Sequence, residues 1–560
     1  MDSSEAVRRP FRSVPAGGTV YSRGAACPPW EVAMKHRSRL LMLTVLALLS
    51  VGSAAIGGDE SSRSSALHPP LSSVVTQSFR PTRAGGSHAP AAKAATFTSV
   101  PLSVGANQNV IVGDVTNTLD HSSGPACFVG DQTPQNETTI SMDPTNSQNL
   151  IGGANDYRYF VDSEQRYDGS AAAYVSHDGG ATWSNEFMPG ISEEAGGTYQ
   201  GVGDPAFAWD PSGDNVYYAN IAFNRVANPD TGHSASASAI AVSRSSDKGD
   251  SWETRYVIQD DDPSVFHDKE WIAVGPDGSV YVAWARFRFG PRAPFQYLES
   301  PIVISKSTDQ GDTWSSPKVI SAGPYTQFAT PVVASDGTVY VSYELWDSPA
   351  GGAGGRAFVA KSTDGGATWT NHFVARINDL RSPLPGSAFR VASYPVLAVG
   401  DDGTLHVIWS NWQAGSGDIV YTRSTDGGET WRRPVKINQE SVKSDQFFQW
   451  IDASGDFLHV GFVDRQYSGD ELLDHSVVVS NDGGDTWSQT QRVTSEPSRS
   501  DASLFGSNCT GEFIGDYTGI VAEGGTAHVL WMDGRPGTQP TSPSGDVDDQ
   551  DAFHVTVSAD

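Results

Sequence analysis

Acidic, basic and phenolic residues recur at fixed places relative to runs of β-forming residues. Asp204, the triplet Asp268-Lys269-Glu270 and the pair Asp516-Tyr517 inside Gly515-Asp-Tyr-Thr-Gly519 stand at or near the head of such runs. Asp156 with Arg158, Arg286 with Arg288, Glu344, Asp464-Arg465 and Asp533 with Arg535 stand at the tail of others. Carboxyls serve general acid–base chemistry and nucleophile activation. Guanidinium forks grip carboxylates through two parallel bonds. A cavity rimmed by Arg, Asp, Glu and Tyr therefore suits an anionic sugar. A pair such as Asp204 and Asp516 would instead suit two-carboxyl hydrolysis of a neutral polysaccharide. Each candidate also has a structural account: Tyr517 packed beside a Gly-rich turn, Glu270 paired with Lys269, and arginines bridged to neighbours such as Asp464 and Asp533.

What must position these residues is a repeat. Ser-x-Asp-x-Gly-x-Thr/Ser-Trp occurs at Ser176–Trp183, Ser245–Trp252, Ser307–Trp314, Ser362–Trp369, Ser424–Trp431 and Ser480–Trp487. Successive starts lie 55 to 69 residues apart. The motif reads as a turn. The Asp accepts bonds from backbone N–H groups further on, the Gly takes a positive φ, and the Trp anchors the turn. Around each box the same strands return, as in Glu270–Val274 with Ser279–Trp284, Pro331–Ala334 with Thr338–Tyr343, and Val396–Val399 with Thr404–Trp409. Turn pairs such as Asp277-Gly278, Asp336-Gly337 and Asp402-Gly403 separate them.

Four strands per unit at this spacing predict an all-β fold, a single β-propeller. A seventh unit without a box is expected at Asp516–Ala522, Thr526–Met532 and Ala552–Ser558, with Asn109–Asp114 as its outer edge. Seven blades are expected, or six if the first or last unit is incomplete.

Composition agrees. Aromatic content of 10%, 15 Trp and 58 Gly suit strands and tight turns, and a charged fraction of 18% argues against disorder. A net charge of −28 repels nucleic acid and anionic lipid. Residues 1–58 are net basic by contrast. Lys35, Arg37 and Arg39 precede the apolar run Leu40–Leu49, and small residues come after it, which reads as a secretory signal peptide over 34–58. The run is half a membrane span, so no integral span is expected. Met34 marks residues 1–33 as an upstream extension, 59–106 reads as a Ser/Ala/Gly/Pro-rich linker, and 107–560 as the propeller. Export would leave Cys127 and Cys509 either bridged or as two free thiols. No zinc spacing, phosphate loop or Gly-x-Ser-x-Gly elbow occurs. Asp260–Asp262 and Asp546, Asp548, Asp549 and Asp551 offer oxygens to Ca2+ without the spacing of a calcium loop, so no metal or cofactor is expected.

The boxes over residues 107–560 resemble those of bacterial sialidases and related Asp-box glycoside hydrolases. The resemblance implies that the boxes lie on turns between outer strands, away from the catalytic face, so Asp178, Asp247, Asp309, Asp364, Asp426 and Asp482 are structural. It also implies three arginines clamping a substrate carboxylate, a Tyr nucleophile activated by a Glu, and an Asp acid/base. Carried onto this chain, these are Tyr517, Glu270 and Asp204, with Arg158, Arg286, Arg465 and Arg535 as substrate-binding candidates. The family's Arg-Ile-Pro ahead of the first box is absent between Asn107 and Ser176, and Arg158 is its positional substitute. The expected protein is a secreted, monomeric, sialidase-like glycoside hydrolase with a glycan as partner. The alternative is a non-catalytic propeller that binds glycan or protein.

Overall fold

Each Asp-box closes a hairpin in the same way, and the hairpins set the architecture. In the computed structural model, Asp178 accepts bonds from the Thr182 amide at 2.8 Å and its hydroxyl at 2.7 Å, while Ser176 Oγ takes the Gly180 amide at 2.9 Å. The boxes at Ser245, Ser307, Ser362, Ser424 and Ser480 repeat this pattern. The hydroxyl of Thr182, and of Thr313, Thr368 and Thr430 in their own boxes, is the main reason the Asp carboxyls there sit at about 2. In five boxes the Trp indole also donates to the carbonyl of a turn glycine. In the sixth, Trp487 is fully buried instead.

The structure describes residues 89–112, 133–161, 166–224, 237–290, 296–348, 354–505, 511–535 and 549–559, and among them every regular element is a strand. No helix is long and apolar enough to cross a membrane among these residues. The predicted leader, Cys127 and Cys509 lie outside the described residues, as do Asp546 and Asp548.

Seven sheets of four or five strands form the blades, as expected from the repeat, antiparallel except for Lys93–Ala94 at the edge of blade 5, and two two-stranded pairs stand beside them. Blade 1 begins with the inner strand Gln135–Met142, blade 2 with Gly201–Trp209, blade 3 with Val265–Val274 and blade 4 with Thr326–Val333. Blades 5, 6 and 7 begin with Val396–Val399, Gln446–Ser454 and Gly519–Glu523. Every box stands directly after the third strand of its blade, as the box between Arg166–Ser176 and Ser184–Phe187 does in blade 1. Basic residues just ahead of the box serine fasten neighbouring blades. Arg244 donates to Gln310 O at 3.0 Å, Lys306 to Gly365 O at 3.3 Å, and Arg423 to Gly483 O, in each case on the next box.

The ring closes in blade 7. Its Thr526–Asp533 and Asp551–Ala559 come from the C-terminal end of the chain, and its outer edge is Leu102–Val104 with Gln108–Asn109. The edge strand was expected at Asn109–Asp114 and lies several residues earlier. The stretch read as a linker contains strands where it is described. Lys93–Ala94 runs parallel to Val435–Lys436 of blade 5, and Thr96–Phe97 runs parallel to Thr486–Trp487 of blade 6. Its low periodicity has a physical cause. A segment that lies across successive blade edges satisfies otherwise unpaired backbone groups without burying a continuous face. Its alternation is short: Ala95 and Phe97 pack against one core cluster and Leu102 and Val104 against that of blade 7.

Candidate active site

A bulge repeats in the inner strands. In blades 1, 2, 3, 4 and 6 two residues oppose one on the second strand, and the first takes a positive φ: Glu137 at 56°, Asp204 at 56°, Lys269 at 53°, Phe328 at 59° and Phe448 at 52°. In blade 7 the matching place is Gly515, at 86°. A non-glycine residue held there costs about 1–3 kcal/mol, and such strain concentrates where side chains must be aimed. Three of the five non-glycine bulges carry charge, and these three side chains meet.

Lys269 is their centre. Its ammonium lies 3.0 Å from Glu137 Oε1, 3.1 Å from Asp204 Oδ1 and 2.9 Å from Asp516 Oδ2, which joins blades 1, 2, 3 and 7. An ammonium has three donors, so all are used. Arg390 adds a second cation from the irregular segment 377–395 that leads into blade 5. Its Nε donates to Asp516 Oδ1 at 2.8 Å and its Nη2 to Asp516 Oδ2, and Nη2 lies 3.7 Å from Glu137. Tyr394, from the same segment, donates its hydroxyl to the Asp516 carbonyl at 2.7 Å.

Tyr517 and Glu270 border this cluster. Tyr517 is buried, 6% exposed, with the Lys269 ammonium 5.0 Å from its ring centroid. It stands two residues after its bulge, as Trp271 and Trp450 stand after theirs. The rings meet, with Trp271 4.2 Å from Trp450 and 5.6 Å from Tyr517. The Tyr517 hydroxyl and both Glu270 oxygens are buried without a hydrogen-bond partner among the described residues.

Burial and charge sort the acids into two kinds. Burial would raise Asp516, but Arg390 and Lys269 outweigh it and hold its carboxyl below the usual range. Burial followed by the Asp204 charge raises Glu137 and Glu270 well above ordinary carboxyls, and the same causes push Asp268 up to about 7. Asp268 also accepts from Gln327 Nε2 at 3.0 Å. Burial would depress Lys269, yet Asp204, Asp516 and Glu137 raise it. The Tyr517 hydroxyl is raised by burial, then by Asp204, Glu137 and Glu270. Three acids thus lean to the neutral form, while Asp516 is held ionised by the two cations it faces.

Of the residues expected from sequence, Tyr517, Glu270 and Asp204 come together here, from blades 7, 3 and 2. The candidate arginines do not join them. Arg158 closes a fork on Asp156, with Nε 2.9 Å from Oδ1, and reaches Asn185 on the outer strand of blade 1. Arg535 repeats that fork on Asp533, with Nε 3.0 Å from Oδ1, and bonds Asn107 and Ser495. Asp533 ends the second strand of blade 7, and Asp156 with Arg158 sits at the register shift inside Leu150–Val161 of blade 1; in both places the nearest carboxylate captures the guanidinium. Arg286 lies beside His267, whose imidazole is lowered to about 3 by burial and then by this arginine. Arg465 is buried 3.9 Å from Asp445, with its guanidinium carbon 5.7 Å from the Phe389 ring centroid. Among the described residues no group of three or more His, Cys, Asp or Glu is arranged to hold a metal ion.

Sequence reasoning missed Glu137 and Arg390. Glu137 had a signal: it precedes Ile140 by three residues, as Lys269 precedes Ile272 and Phe448 precedes Ile451. Arg390 had none, because the segment carrying it has neither strand nor helix periodicity.

A BNR repeat-like domain model matches residues 231–449, and a BNR/Asp-box repeat model matches residues 174–185. A sialidase of Bacteroides fragilis (strain YCH46) is 26% identical over 340 residues, covering 56% of this chain and 58% of its own length. A sialidase of Micromonospora viridifaciens is 28% identical over 242 residues, 39% of this chain and 35% of its own. A xyloglucanase of Paenibacillus sp is 25% identical over 320 residues, 53% of this chain and 27% of its own. The matched region thus spans less than two thirds of each relative's length. Six boxes on the same turn and seven blades make the chain an Asp-box β-propeller, similar over part of its length to these sialidases.

Proposed function

We propose that the chain is a secreted glycoside hydrolase acting at the axial end of its inner strands, with Tyr517 as nucleophile, Glu270 as the base beside it and Asp204 as the acid. One observation carries this. The three side chains arrive from three blades at a strained, buried cluster in which the Tyr517 hydroxyl and the Glu270 carboxyl are groups left without partners among the described residues. Unpartnered buried polar atoms are costly, and are retained where a reacting group will meet them.

The chemistry comes from the environment. A buried phenol is a poor nucleophile, because its anion is disfavoured. Glu270 is raised by the same burial, which makes its carboxylate a stronger base than an ordinary one. Glu270 first gives its proton to Asp204; as the phenolic oxygen then attacks the anomeric carbon, its proton passes to the carboxylate so formed. The departing glycosidic oxygen takes a proton from Asp204. Water then attacks the tyrosyl glycoside, leaving one of its protons on Asp204, while Glu270 returns its proton to the departing phenolate. Secretion is the companion proposal and rests on the leader-like residues 34–58.

A second reading, a propeller that binds glycan without cleaving it, is favoured by one observation. Arg158 and Arg535 are closed on their own aspartates, so neither is available to clamp a substrate. Turnover of a glycoside panel by purified protein separates the two. Hydrolysis that disappears in Tyr517→Phe, with an unchanged far-UV spectrum, is the expected result. Equal turnover in the variant removes Tyr517 from the mechanism, and tight binding with full recovery of intact glycan selects the second reading.

A further inference from the structure

We infer that Glu344 and Asp379 share a proton and so latch segment 377–395 against the axial acids, a latch that tightens as the medium turns acid. The segment leaves blade 4 and leads into blade 5, yet its Arg390 bonds Asp516 ahead of blade 7 and lies 3.7 Å from Glu137 in blade 1. It therefore spans from blades 4 and 5 to blades 7 and 1, and Tyr394 fixes it there through the Asp516 carbonyl at 2.7 Å. The inference stands whether the axial residues cleave a glycan or only hold one.

At the root of the segment two carboxyls meet beside one backbone position. Glu344, near the end of the second strand Val339–Leu345 of blade 4, is fully buried, and among the described residues neither of its oxygens takes a bond from an amide, a hydroxyl or a cation. A Cβ at Gly355 would overlap Glu344 Oε1, while the Gly355 amide donates to Asp379 Oδ1 at 3.0 Å. The Trp346 indole donates to Asp379 Oδ2 at 3.3 Å. Two buried carboxyls in contact cannot both ionise, so one proton lies between them. Burial, then the Asp379 charge and the bond to it, raise Glu344 well above ordinary carboxyls, and burial raises Asp379 to about 6. Asp347 and Arg356, each one residue on from Trp346 and Gly355, are bonded to each other, and the Arg381 guanidinium lies over the Trp412 ring. At the far end of the segment Arg390 faces Asp516, Glu137 and Asp268. With its folded pKa raised, Asp379 gives its full hold below the ordinary aspartate value of about 3.9 and loses it as pH climbs through about 6.

Hydrogen exchange of the full chain, read by mass spectrometry at pH 5 and pH 8, tests this. After correction for intrinsic rates, exchange in 377–395 should rise about tenfold from pH 5 to pH 8 relative to the inner strands. That is the factor a carboxyl moved from about 3.9 to about 6 supplies over the interval. Asp379→Asn keeps an acceptor for the Gly355 amide and offers an amide to Glu344, and should abolish the rise. Glu344→Gln puts an amide donor where the shared proton was, and should keep it. A wild type without the rise overturns the inference. So does an equal rise in Asp379→Asn, and its loss in Arg390→Met would then give the titration to Asp268 at the far end. If Asp379→Asn does not fold, the infrared difference between wild type and Glu344→Gln at pH 8 decides. A protonated-carboxyl band present in the wild type and lost in the variant is expected, and its absence overturns the inference.

Discussion

Replacing Lys269 by Met keeps the length of the side chain and removes one charge from the centre of the ring. Three carboxyls, at 2.9, 3.0 and 3.1 Å, lose their shared partner, and their burial keeps solvent from replacing it. Removing one member of a buried ion pair costs about 3–5 kcal/mol, because the other is left uncompensated. At ~2 cal/mol/K of unfolding entropy per residue, a propeller of this length carries ~1 kcal/mol/K, so the melting temperature should fall by about 3–5 °C at pH 7. The pH dependence gives a second check. Lys269 has a raised folded pKa, so its stabilisation is complete below the ordinary lysine value of about 10.4 and is lost only as pH climbs through the raised one. Asp516 has a depressed folded pKa, so its stabilisation is complete above about 4 and is lost as pH falls through the depressed one. The contributions of Lys269 and Asp516 are therefore both present from about pH 4 to 10. In Lys269→Met the carboxyls can be buried only by taking protons. The deficit measured by scanning calorimetry should shrink from pH 7 toward pH 4. A fall of less than about 1 °C at pH 7, or a deficit that grows on acidification, would refute the hub argument.

Asp268→Asn tests the neutral acids. The wild-type carboxyl titrates at about 7 when folded, so its stabilisation is present below about 4 and lost as pH rises through 7. Asn keeps the bond from Gln327 and cannot ionise, so the variant should gain a few °C relative to wild type at pH 8 over pH 5, and parallel melting curves would reject the assignment. Asn107→Ala tests the N-terminal segment as closure of the ring. It removes bonds to Val493 O at 2.8 Å, the Ser495 amide at 2.6 Å and Arg535 Nη2 at 3.1 Å, which should cost about 1–3 kcal/mol in denaturant unfolding. No change in the midpoint would mean that the segment merely lies along the edge.

The repeat was legible because its chemistry is local. Ser176, Asp178, Gly180 and Thr182 satisfy one another within eight residues, so a single pattern marks the turn wherever it occurs. Tyr517, Glu270 and Asp204 could be singled out because they stand at or near the heads of β-forming runs, which is a local pattern. For two of the candidate arginines, sequence gives no measure of competition. Asp156 and Asp533 are two residues from Arg158 and Arg535 and take the forks that a ligand would have needed. Segment 89–112 misled because edge pairing uses backbone and leaves little mark on side-chain pattern.

The sequence by itself determined the all-β class, the turn at every box, the strand order within each blade and the approximate place of the closing strand. All of these come from hydrogen bonds and periodicities that span fewer than about ten residues. Only the tertiary structure decided that Glu137, Asp204, Lys269, Arg390 and Asp516 form one network, since they are brought together by ring closure over most of the chain. It also decided which acids are ionised, because that depends on the summed burial and charge at a point where several blades meet. Local bonding writes itself into neighbouring letters; a shared electrostatic centre, assembled from residues hundreds of positions apart, does not.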